Sequence, residues 1–185
     1  YYLGSDLDFL VNPIFKGGTL RLDTNLEYAN TLTAYNVATN TIDQFGNVSR
    51  FTGSIVDAAP GEGAPITITN SGVGGSVTVA GVNTYTGSTT IAGATLRLEG
   101  QGDISASNAL NLTAANSVFD ISGINASSTS IQNLSGVTGA QVLLSNKDLQ
   151  INNSANTTFA GTLSGTGTVI KDGNGQLVFS AAQPY

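Results

Sequence analysis

At 185 residues, with 40% hydrophobic and 10% charged side chains, the chain can bury a sizeable core, hiding roughly 70% of the surface its unfolded form exposes. A net charge of −6, a pI near 4.2 and six scattered Lys and Arg residues leave no basic stripe for nucleic-acid phosphates or an anionic membrane surface. The absence of Cys and His excludes disulfides, zinc–thiolate sites and any Ser-His-Asp or Cys-His arrangement within this sequence.

In chain order, alternating runs predict strands at TLRLD from Thr19, SIVD from Ser54, ITITN from Ile66, SVTVAG from Ser76, TTIAG from Thr89 and TLRLE from Thr95. They continue at ALNLTA from Ala109, VFDISG from Val118, SIQNL from Ser130, VLLSN from Val142, LQINN from Leu149, TLSGTG from Thr162 and QLVFSA from Gln176. Gly, Asn, Asp and Ser occupy the joints, because they accept positive φ or close turns with their own side chains. No run sustains a helical period, and the longest apolar run falls far short of the ~20 residues a spanning helix needs.

Some phrases recur. GGTLRL at residues 17–22 returns as GATLRL at 93–98, SVTVAGVNTY at 76–85 aligns with QLVFSAAQPY at 176–185, and FTGSI from Phe51 aligns with FAGTL from Phe159. Unequal spacing between similar phrases describes stacked units with loops of different length, which favours a β-solenoid over a sandwich. Coils of three short strands, somewhat above twenty residues each, predict roughly seven to eight coils and, at ~4.8 Å per coil, a rod on the order of 35–40 Å long. Leu20, Leu22, Leu96 and Leu98 then point inward, and Arg21 and Arg97 face solvent.

NTYTGSTTIAGATLRL at residues 83–98 and FAGTLSGTGTVIKDGNGQLVFS at 159–180 resemble the autotransporter-associated β-strand repeat. The resemblance is dense over residues 76–105 and 157–185, looser over 17–57 and weakest over 106–156. It implies an all-β, right-handed, single-stranded parallel β-helix: one segment, residues 1–185, of a longer passenger of a Gram-negative type V autotransporter. The signal peptide and C-terminal β-barrel of such a protein are not in this sequence. The resemblance further implies a secreted or surface-displayed product on the extracellular side of the outer membrane. Its partners would be host-cell-surface or extracellular-matrix molecules, or sister cells through self-association. No nucleic acid, direct membrane insertion, cofactor or metal is expected. The expected role is structural and interactive, in adhesion, aggregation or display of a virulence factor, and in folding during secretion.

Carboxylate chemistry on polysaccharides is the enzymatic alternative, and an inert stalk carrying an activity elsewhere is another. The local acidic groupings are Asp6 with Asp8, Asp43 with Asp57, and Glu99 with Asp103, none within a motif. KDGNGQ at residues 171–176 lacks the repeated acidic positions of a calcium loop and reads as a turn. Six Asn-x-Ser/Thr triplets, at Asn47, Asn111, Asn125, Asn133, Asn152 and Asn156, follow from composition and suit polar ladders on turns. DAAPGEGAP at residues 57–65 breaks the strand rhythm with two prolines and predicts a protruding loop. Asp57, Pro60, Glu62 and Pro65 are its candidate partner contacts, and recognition is otherwise expected in residues 106–156.

Overall fold

The computed structural model describes residues 2–3 and 12–184. These contain 22 strands, numbered β1 to β22 in chain order, and no helix. The strands visit three sides in rotation, and every ladder is parallel, so the chain winds as a β-solenoid.

The first side carries β1 (Tyr2–Leu3), β3 (Gly18–Leu22), β6 (Asn40–Asp43), β9 (Ile66–Thr69), β11 (Thr89–Ala92), β13 (Leu110–Leu112), β16 (Leu134–Gly136), β19 (Thr157–Phe159) and β22 (Leu177–Phe179). The second carries β4 (Glu27–Tyr28), β7 (Val48–Phe51), β10 (Ser76–Val79), β12 (Thr95–Gly100), β14 (Val118–Ile124), β17 (Gln141–Ser145) and β20 (Thr162–Gly165). From β3 to β22 the first side is visited eight times, which makes seven turns and, at the strand-pairing distance, about 34 Å of axis. From β3 on, successive first-side strands begin 20 to 26 residues apart, so the coils differ in length.

Inward side chains stack coil upon coil. On the first side the register runs Leu20, Ile42, Ile68, Ile91, Leu112, Gly136, Phe159, Phe179. On the second it runs Ser49, Val77, Leu96, Phe119, Val142, Leu163. Most of these are buried, so each coil closes its neighbour's core instead of enlarging one common centre.

The recurring phrases do not mark equivalent positions of the coil. TLRL of residues 19–22 lies in β3 on the first side, and TLRL of residues 95–98 lies in β12 on the second. SVTV lies in β10 on the second side, whereas LVF lies in β22 on the first. The recurring unit is thus one glycine-bearing corner and the strand that follows it, and this unit serves more than one side. Leu22, Leu96 and Leu98 are buried as expected, and Leu20 is partly buried against the core. Arg21 is half-buried, its guanidinium 3.7 Å from the centre of the Phe45 ring and its Nε donating to Asp23 at 2.5 Å.

The third side is split. Its first ladder joins β2 (Ile14–Phe15), β5 (Leu32–Ala34) and β8 (Ile55–Asp57), and its second joins β15 (Ser128–Gln132), β18 (Asp148–Asn152) and β21 (Val169–Asp172). Between them two coils cross this side without a strand, linked by a single parallel bridge from Val82 to Asp103.

Candidate binding groove

The second coil of the gap follows a change of register. The pairing of β12 with β14 shifts between Arg97 and Glu99, and β12 then runs on to Gly100, which has φ +61°. Gly102 donates to the Glu99 carbonyl at 2.8 Å, and a Cβ on Gly102 would lie 2.1 Å from the Val79 carbonyl oxygen. Only glycine permits so close an approach. Asp103 then holds a second turn: Ser105 donates its N–H to Oδ1 at 2.9 Å and its hydroxyl to Oδ2 at 2.7 Å, and Ser107 N–H donates to Ile104 at 3.0 Å. Ile104 still fills the core, at 2% exposure, so the coil is closed by a turn where the next coil uses β15. One coil on, β14 extends to Ile124, and Asn125 N–H donates to the Gly100 carbonyl at 2.8 Å.

The result is a groove of about 550 Å³. One flank is formed by Val82, Gln101, Asp103 and Ser105, and Ile124 and Ala126 also line it. Ser128, Thr129 and Ser130 of β15, Asp148 and Gln150 of β18, and Ile170 of β21 complete it. The lining is acidic: Asp103 and Asp148 contribute carboxylates, and no Lys or Arg lines the groove. Lys147 reaches the rim, where its Nζ donates to the Ala126 carbonyl at 3.0 Å. Asp148 accepts the Thr168 N–H on Oδ1 at 2.6 Å, and Gln150 donates to Asn152 at 2.9 Å and Asp172 at 3.3 Å.

The residues singled out in the sequence lie elsewhere for the most part. In the 57–65 segment only Ala59, Pro60 and Gly61 are exposed, and the rest is drawn onto neighbouring coils. Asp57 Oδ2 accepts the Thr86 hydroxyl at 2.6 Å and the Thr86 N–H at 3.1 Å, and Oδ1 accepts the Ala64 N–H at 3.0 Å. Glu62 accepts N–H donors from Asn36 and Ala59, both at 3.1 Å. Pro65 offers its carbonyl to buried Asn40 at 3.1 Å. Burial raises the Asp57 carboxyl pKa, but the Thr86 hydroxyl and the Ala64, Gly63 and Thr86 N–H groups outweigh it and hold the group below the ordinary carboxylate value.

The carboxylate pairs are not assembled for catalysis. Asp43 ends a first-side strand and accepts the Ser71 hydroxyl, whereas Asp57 ends a third-side strand. Glu99 accepts Arg50 Nε at 2.7 Å in an ion pair that also reaches Glu27, and Asp103 is held by Ser105. Asp6 and Asp8 lie outside the described residues. Among the described residues no three His, Cys, Asp or Glu side chains come together in a way that could hold a metal ion. Arg97 pairs with Asp120 at 3.0 Å. Residues 171–176 form a coil corner, with Gly173 at φ +79° donating to Asp172. Several triplet asparagines bond between coils: Asn47 donates to the Leu22 carbonyl, Asn133 donates to that of Asn108, and Asn111 accepts the Ser135 hydroxyl.

The groove itself was not foreseen, although half of its lining residues fall within 106–156, the stretch in which recognition is otherwise expected from the sequence. Its one sequence signal is GQGDISASN at residues 100–108, where the alternation lapses for the length of a third-side strand. A second excursion that sequence reasoning passed over, residues 70–75, carries Val73 at 95% exposure.

The chain is similar to the adhesin BmaC autotransporter of Brucella suis biovar 1 (strain 1330), with 28% identity over 183 aligned residues and 91% of this chain covered. The chain spans only 5% of that relative's length. No family model matches the chain, and no solved structure matches it significantly. Fold and relative agree with the autotransporter-passenger resemblance carried by residues 83–98 and 159–180.

Proposed function

We infer that this passenger-type solenoid serves as a non-catalytic adhesive segment on the extracellular side of a bacterial outer membrane, in a protein secreted through its own β-barrel. The observation that carries the reading is similarity along nine-tenths of the chain to an autotransporter named as an adhesin. The engagement of Asp43, Asp57, Glu99 and Asp103 in turns, loop closure and an ion pair supports a structural role over carbohydrate cleavage. A rigid rod suits adhesion, because it holds exposed features at fixed distances from the cell and displays them without a larger core. Two such features are the acidic third-side groove and the tip of the 57–65 loop, where contact runs through Ala59, Pro60 and Gly61 while Asp57 and Glu62 brace the loop. The partners are host-surface or matrix molecules.

The test is attachment by the chain alone. Beads coated with the 185-residue chain should adhere to cultured epithelial cells or to wells coated with matrix proteins, and free chain should compete. Adhesion no greater than that of beads coated with an unrelated acidic protein would sink the reading and leave the stalk.

A further inference from the structure

We propose that the open edge of β15 at residues 128–130 binds a short extended segment of another protein that carries a Lys or Arg, supplying the strand that the third side lacks. The inference rests on the adhesive reading in taking the groove to face a partner, and it adds the partner's chemistry and the site.

The direction of the backbone groups follows from two bonds. Asp148 N–H donates to the Ser127 carbonyl at 2.9 Å, and Asn133 N–H donates to the Asn152 carbonyl at 3.4 Å. In a parallel ladder such bonds use alternate residues, so the odd-numbered residues of β15 face β18. The N–H and C=O groups of Ser128 and Ser130 therefore point the other way, β15 is the last strand of its sheet, and both residues line the groove. Among the described residues no bond from another segment meets them, because residues 103–107 turn upon themselves through Asp103, Ser105 and Ser107. The gap narrows towards the far end of β15, where Gln132 Nε2 reaches the Ser105 carbonyl at 3.4 Å. A segment of three or four residues is what the opening accommodates.

An unpaired strand edge is a template for another extended chain, and a peptide backbone supplies alternating donors and acceptors at the spacing of Ser128 and Ser130. The lining selects among peptides. Asp103 and Asp148 border the opening, and a cationic side chain on the incoming strand meets them, while an acidic one is repelled. A second copy of this chain is the poorer occupant, since its net charge is −6 with only six Lys and Arg.

The experiment uses the intact chain and a capped pentapeptide of alternating threonine and lysine, followed by amide NMR and hydrogen exchange. The expected result is a saturable shift of the Ser128 and Ser130 amide signals with slowed exchange at both, and none with the glutamate counterpart of the peptide. Ser130→Pro deletes the outward N–H without removing a bond to β18, and it should weaken binding by about 2- to 10-fold, the worth of one net hydrogen bond. Asp148→Asn should weaken it less and narrow the lysine-over-glutamate preference, with Asp103 still bordering the opening. If Ser130→Pro fails to fold, the location of the shifts in the unsubstituted chain decides. Saturable shifts confined to other sides, equal binding of both peptides, protection of Ser128 and Ser130 that grows with chain concentration alone, or no shift at millimolar peptide each overturns the proposal. Adhesion of coated beads is measured separately, so adhesion without peptide binding removes the β15 site and leaves the adhesive reading in place.

Discussion

Asn83, Thr84, Tyr85, Thr86 and Gly87 form the densest part of the repeat phrase, and four of the five have a definable structural task. Asn83, 2% exposed, accepts the Ile55 N–H at 2.8 Å and donates to Gly81 and Asp103, tying together three coils at a corner that has no ladder. Tyr85 is buried and its hydroxyl meets Thr89 at 2.6 Å, while Thr89 continues to Ser107 at 2.8 Å. Burial pushes the Tyr85 phenol far above its ordinary value, so it stays neutral and bonded. Gly87 is required because a Cβ there would lie 2.3 Å from the Ala64 backbone. Thr86 holds Asp57, and this contact has a pH signature. The folded-state pKa of Asp57 is depressed, so its contribution to stability is present above the unfolded carboxylate value of about 3.9 and is lost as pH falls through the folded value. Asp43, where burial is likewise outweighed by the Ser71 hydroxyl, the Ser71 and Phe45 N–H groups and the nearby Arg21 charge, acts in the same direction. Urea unfolding from pH 6 down to pH 3 should show stability falling below about pH 4, and Asp57→Asn should flatten that fall while lowering stability at pH 6. An unchanged acid slope in Asp57→Asn would refute the assignment.

At the scale of elements, the first-side register explains why a glycine sits in a strand. Gly136 falls between Leu112 and Phe159, and a Cβ on it would lie 2.6 Å from two carbons of the Phe159 ring. Phe159 is fully buried, so its ring can shift only by displacing core neighbours. Gly136→Ala should therefore cost about 1–3 kcal/mol by overpacking, although alanine favours a strand no less than glycine does. Denaturant unfolding of the variant checks this, and combining it with Phe159→Leu should recover part of the loss. Elements of this kind were only partly legible in the sequence. Runs such as ITIT and TLRLEG were read correctly because apolar residues alternate with polar ones that face solvent. NTID of β6 escaped because Asn40 and Asp43 are buried with their bonds satisfied, so polarity there does not signal exposure. EY of β4 escaped because two residues carry no period. The groove escaped for a different reason: residues 100–108 look like an ordinary joint, and only the ladders on either side show that a strand is missing.

For the whole molecule, a solenoid in which each coil contacts its neighbours has stability that propagates along one axis. Leu96 and Leu98 sit at 2% and 0% exposure near the middle of the second side, between Val77 and Val79 of the preceding coil and, for Leu96, Phe119 of the next. A carboxylate at either position loses the packing of a buried leucine, about 2–5 kcal/mol, and adds the cost of a buried charge. Leu96→Asp with Leu98→Asp should therefore break the rod locally. Amides of β10, β12 and β14 should lose protection first in hydrogen exchange, and β5 with β8 and β18 with β21 should keep more of theirs, because those ladders do not pass through the altered coil. The split third side sharpens this expectation, since around residues 80–108 only two of three ladders connect the halves. Simultaneous loss at every strand would mean that the seven turns behave as one cooperative block. If folding outside the cell draws such a passenger through its barrel, the same pair of substitutions should also lower surface display of a protein carrying this segment. Labelling intact cells with antibody against a tag placed N-terminal to the segment measures that directly. Undiminished display would separate the solenoid's stability from its export.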